Sequence, residues 1–167
     1  MLKKSFLLTL MLILCFVTLA SAADLSQLFN QVKSALLQKG VSTTDVNSIQ
    51  PTASNLLGLG IGKENLVKIV TDLIGLKING NTLNSPLEAL KNLVQSGQKP
   101  DLASNFMSLA INQAKSSNLT GNSAVSKIVD FINQKKTEFL QLKQQTQGKI
   151  QGQKDKVNNS LGSLLGK

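Results

Sequence analysis

Ser96 and Lys99, in Ser96-Gly97-Gln98-Lys99, form the only serine-to-lysine pair at three-residue spacing after the N-terminal segment, and such a pair could let an amine activate a hydroxyl nucleophile. With some 15 serines in that region and lysine at roughly one position in nine, one or two such matches arise by chance. The pair also sits where a helix is expected to stop, a setting that explains glycine and polar residues without catalysis. A serine–histidine arrangement is excluded, because the chain has no histidine and that chemistry uses imidazole as the base.

Paired carboxylates could perform acid–base chemistry on a glycosidic bond, but the nine acids stand singly at 24, 45, 64, 72, 88, 101, 130, 138 and 155. Several fall at expected helix starts, where the dipole accounts for them. Zinc, copper and haem sites favour histidine or cysteine, and the lone cysteine, Cys15, lies in the apolar N-terminal run. Asn79-Gly80-Asn81 supplies no carboxylate and lacks calcium-loop spacing. Asn55-Leu56-Leu57-Gly58-Leu59-Gly60-Ile61-Gly62 alternates apolar residues with glycine, yet no strand precedes it and Lys63 is followed by Glu64, so it does not fit a phosphate loop. We expect a tight helix-to-helix passage there. No catalytic residue, metal or cofactor is expected, and the sequence points to a non-enzymatic role.

Met1-Leu2-Lys3-Lys4, an apolar run from Ser5 to Leu19 and Ala20-Ser21-Ala22 have the three parts of a secretory signal peptide. The run is shorter than the roughly 20 apolar residues of a membrane span. Cleavage is expected after Ala22, leaving about 145 residues without cysteine, histidine, arginine, tryptophan or tyrosine. Such a product would be secreted or periplasmic and would fold without disulfides, although that compartment permits them. Asn118-Leu119-Thr120 and Asn158-Asn159-Ser160 would accept glycans in a eukaryotic host; the plain signal favours a bacterial one.

After cleavage, 16 lysines stand against nine acids, a net charge of +7. Residues 24 to 122 carry eight lysines and six acids, and residues 123 to 167 carry eight lysines and three acids. A basic segment of this kind concentrates anionic partners through its field. The absence of arginine, with only four phenylalanines left after cleavage, disfavours nucleic acid, which is recognised through bidentate guanidinium contacts and aromatic stacking.

The elements that must position these residues are helices. Leu25, Leu28, Phe29, Val32 and Leu36 have helical spacing, with Asp24 at the start and Gly40 at the end. Ser42 and Asp45 resemble a capping box opening a short segment that Pro51 closes. Leu66, Ile69, Val70, Leu73 and Ile74 mark another helix. The Asn79-Gly80 pair suggests a small hairpin over 76–83. Ser85-Pro86-Leu87-Glu88 predicts a serine-capped helix to about Ser96. A further helix follows Asp101, with Leu102, Phe106, Leu109 and Ala110 facing inward and Ile111 beside them.

From Ser123 a longer amphipathic helix is expected, turning lysine- and glutamine-rich after Asn133 and weakened at Gly148 and Gly152. The fold class is therefore all-α: an irregular bundle of five or six short helices (23–122), with a basic C-terminal helix or tail (123–167). Lys127, Lys135, Lys136, Lys143, Lys149, Lys154 and Lys156 are the candidate contacts to an anionic membrane surface or an acidic protein partner. Phe131, Phe139 and Leu142 form the candidate apolar face. A carrier of an apolar small ligand held between helices is the alternative, ahead of a carboxylate hydrolase.

Overall fold

The computed structural model describes residues 24–165; the signal-like segment with Cys15 lies outside the described residues, as does Lys167. The chain is an all-α bundle. In order come α1 (24–38), α2 (Thr43–Gly58), α3 (Lys63–Gly75), a 3-10 turn (Gly80–Leu83), α4 (Asn84–Gln95), α5 (Pro100–Ser116) and α6 (Gly121–Leu165). α4 packs against α2, α5 and α6, while α5 also meets α3. One continuous hydrophobic core includes Phe29, Leu36, Leu56, Leu73, Leu90, Met107 and Ile128.

Four of the five reversals between α-helices use one device. Each helix ends in a residue with positive φ, at Gly40, Gly60, Lys77 and Asn118. The next residue is apolar, and its amide donates back five residues: Val41 to Leu36, Ile61 to Leu56, Ile78 to Leu73 and Leu119 to Ala114, at 3.0 to 3.2 Å. This is the Schellman arrangement, in which the returning bond satisfies an orphan carbonyl and an apolar contact seals the end. Val41, Ile61 and Ile78 are accordingly buried. Lys77 and Asn118 adopt a left-handed conformation that costs an L-residue roughly 1–2 kcal/mol, which the buried side chain of Ile78 and the partly buried Leu119 help to offset.

That device replaces the hairpin expected over 76–83. Ile78 is committed to closing α3, and the amide of Gly80 donates to the Asp45 carboxylate on α2, so Asn79 and Gly80 open a 3-10 turn. No strand occurs among the described residues. The 3-10 turn runs straight into α4, which removes the serine cap expected at Ser85. α4 starts at Asn84 with no side-chain cap, and Glu88 pairs with Lys91 and accepts from Thr52 instead.

Pro51 does not close its segment. α2 continues to Gly58 because Val46, Ile49, Ala53, Leu56 and Leu57 keep one buried stripe through the proline. Pro51 and Asn47, whose carbonyl loses its helical partner, are both exposed, so water can satisfy that carbonyl. The Ser42–Asp45 cap does form: Ser42 Oγ accepts from the Asp45 amide at 3.1 Å. On α5 the buried stripe is rotated by about one residue from expectation. Ala103, Met107, Ala110, Ile111 and Ala114 face the core, while Leu102 and Leu109 are 42% and 52% exposed. α5 meets three helices, and its alanines permit the close approach this requires.

Candidate functional site

α6 divides into two parts. Ala124, Ile128 and Ile132 are fully buried, and Val125, Val129, Phe131 and Phe139 are partly buried, so the first turns belong to the bundle. Phe139 reaches the turn between α4 and α5: a Cβ placed on Gly97 would lie 3.8 Å from its ring and 3.7 Å from Lys143 Nζ. From residue 140 to residue 158 every side chain is exposed. The helix nevertheless runs through Gly148 and Gly152 to Leu165. At 1.5 Å per residue the part beyond Leu140 is an arm about 37 Å long.

The helical repeat carries the packing face outward along this arm. Advancing 3.6 residues per turn from Ala124, Ile128 and Ile132 leads through Phe139 and Leu142 to Ile150 and Val157. Leu142, Ile150 and Val157 are 62%, 60% and 57% exposed, so the stripe that holds α6 on the body continues without a partner. Lys136, Lys143 and Lys154 follow one edge of it and Lys149 and Lys156 the other, while Asp155 lies on the back. None of Lys143, Lys149, Lys154 and Lys156 has an ion-pair partner among the described residues.

The remaining candidate contacts sit differently. Lys135 lies on the bundle part, 2.7 Å from Glu138 Oε2 and 5.5 Å from the centre of the Phe131 ring. The hydrogen bond from Lys135 holds the Glu138 carboxyl below its ordinary range, and the lysine is engaged within α6. Lys127 is exposed beside a shallow hollow it shares with Gln113, Asp130, Phe131 and Gln134. The structure thus groups Lys143, Lys149, Lys154 and Lys156 with Leu142 on the arm, and leaves Lys127, Lys135 and Phe131 on the body.

Several of the residues weighed for catalysis have structural partners. Ser96 Oγ donates to the Leu93 carbonyl at 2.6 Å. Asp72 joins Lys68 and Lys115, and Asp45 joins Ser42 and Gly80. Among the described residues no three acids come together in a group able to hold a metal ion. The Gly58–Gly62 passage is packed, with Leu25 3.4 Å from a Cβ placed on Gly58 and Pro100 3.3 Å from one placed on Gly60.

One feature escaped sequence reasoning: a hollow of about 470 Å³ between α1 and α3. Its residues recur every four positions, Gln31, Ala35 and Lys39 on α1 and Lys63, Val67 and Thr71 on α3, but periodicity within one helix does not say which helix lies beside it. No helix among the described residues is long and apolar enough to cross a membrane. Comparison with protein-family models, curated proteins and solved structures gives no match. The fold and the arm define the class at hand, a small all-α bundle bearing a basic amphipathic helical extension.

Proposed function

We propose that this chain is an exported, non-enzymatic binding protein of the cell envelope or extracellular space, and that the α6 arm contacts an anionic lipid surface. The observation that supports it most is the unpartnered stripe of Leu142, Ile150 and Val157 edged on both sides by lysines. An interfacial helix lays its apolar face into the headgroup boundary while lysine stems lie alongside and their ammonium groups reach the phosphates. Each lysine near an anionic leaflet contributes about 1 kcal/mol. Burying the exposed part of three aliphatic side chains adds about 1 kcal/mol each.

The same pattern argues against the competing occupants of the arm. A coiled-coil partner needs apolar residues at successive seam positions, whereas Thr146 and Gln153 interrupt this stripe and Gly148 and Gly152 weaken the helix. A second copy of the arm would set lysine edges against lysine edges. A lipid surface demands neither a regular seam nor acidic complementarity at fixed positions.

The test is sedimentation with vesicles, comparing phosphatidylglycerol-containing with purely zwitterionic membranes. The protein should bind the anionic vesicles alone, and raising salt to about 1 M, where the screening length falls to roughly 3 Å, should release it. A chain ending at Leu140 keeps every core residue and should not bind. Undiminished binding by that truncated chain, or no binding by the intact protein, overturns the reading.

A further inference from the structure

The groove between α1 and α3 is separate from the arm and does not depend on it. Its floor is aliphatic: Val32 and Val67 are buried and Ala35 is half-buried. Thr71 contributes a methyl group to the wall, since its hydroxyl already donates to the Val67 carbonyl at 2.7 Å. Lys63 Nζ donates to Gln31 Oε1 at 3.0 Å and ties the helices together where α3 begins. From Gln31 to Lys39 the groove follows about 12 Å of helix, and its volume lies within the usual range for small-molecule sites.

The charge around this floor is unbalanced. Toward the C-terminal ends of the two helices, Asp72 is shared between Lys68 at 2.6 Å and Lys115 at 2.7 Å, so one negative charge serves two positive ones. Lys39 borders the same groove and has no ion-pair partner among the described residues. That end therefore carries a surplus of two positive charges. At the other end Lys63 stands 3.8 Å from Glu64 and the charges balance.

We infer that this groove binds a linear aliphatic carboxylate, with the chain over Val32, Ala35 and Val67 and the head group toward Lys39 and Lys68. The floor offers aliphatic contact and no aromatic ring for stacking, and the groove is two helical turns long, which suits a single chain of medium length. The lysine-edged α6 arm of another copy would be repelled by the same surplus charge.

Because the chain lacks tryptophan and tyrosine, binding is best read by amide chemical shifts of the isotopically labelled protein titrated with decanoate below its micelle concentration, and in parallel with decanol. Saturable shifts should concentrate on α1 and α3 and leave the arm unmoved. Lys39 is exposed, so K39E should keep the fold while weakening decanoate by about tenfold, the scale of one charge-assisted contact, and leaving decanol unchanged. Ala35→Phe, which fills the floor, should remove both ligands. Shifts confined to α6, equal affinity for decanoate and decanol, an unaffected K39E, or no saturation overturn the assignment. Vesicle binding by the arm is read separately, so either reading can fail alone.

Discussion

Lys115 on α5 donates from Nζ to Asp72 Oδ1 on α3 at 2.7 Å, across 43 residues of sequence, while Lys68 holds the other carboxylate oxygen at 2.6 Å. Partial burial works against ionisation of Asp72, but the hydrogen bonds and charges of the two lysines outweigh it and hold its pKa below the ordinary value. This is a long-range ion pair that fastens α3 to α5 beside the α1–α3 groove.

A pH dependence follows. Asp72 ionises at lower pH in the folded protein than in the unfolded chain, so its contribution is present above the ordinary carboxylate range and is lost as pH falls through the folded pKa. Partly exposed pairs contribute about 1 kcal/mol at most. Urea unfolding should find Asp72→Asn less stable by about that amount at neutral pH, with the difference from the parent chain shrinking as pH falls below the ordinary carboxylate range.

The rotation of α5 makes a pair of substitutions diagnostic. Met107 is fully buried and Leu109 is 52% exposed. Met107→Ala should cost about 2–5 kcal/mol through lost contacts and a cavity, and Leu109→Ala should stay within about 0.5 kcal/mol. Thermal unfolding of the two variants checks this, and a large loss at Leu109 would restore the stripe expected from the sequence.

Asp45 joins two elements, accepting from the Gly80 amide while sharing a 2.6 Å hydrogen bond with Ser42 at the start of α2. Ser42→Ala removes the cap and the exposed hydroxyl–carboxylate bond to Asp45 and should cost about 1 kcal/mol. Asp45→Ala keeps the cap, which its backbone amide makes, but leaves the part-buried Gly80 amide unpaired, which costs about 1–3 kcal/mol. Denaturant midpoints should therefore rank the parent chain above Ser42→Ala and Ser42→Ala above Asp45→Ala.

The arm should behave as a helix held only by its own hydrogen bonds. Amides beyond residue 140 should exchange with solvent much faster than those of α4. A Cβ at Gly148 or Gly152 meets nothing within 4 Å, so Gly→Ala at both should raise helix stability by about 1 kcal/mol each. Hydrogen exchange should slow in the arm alone, with the melting temperature of the body unchanged.

The all-α class, the helix positions and the basic C-terminal element were legible because each rests on local information: apolar spacing, caps and lysine density. The Ser42 cap, Gly40 and Gly60 all do in the structure what their residue types suggest. Where local signals misled, a distant group intervened. The Asn-Gly pair at 79–80 became a 3-10 turn because Asp45 holds its amide, and Ser85 lost its cap because that turn runs directly into α4.

By itself the sequence determined that the described chain folds as helices and that its positive charge gathers toward the C-terminus, since periodicity and composition are properties of the chain. Only the tertiary structure decided which face of each helix is covered, because coverage depends on neighbours far away in sequence. It buried Met107 in place of Leu109, set α1 beside α3 with a lysine surplus at the groove between them, and ended the support of α6 near Phe139. The face from Ala124 to Val157, though interrupted at Thr146 and Gln153, is laid out in the sequence, and the body is simply too short to cover all of it.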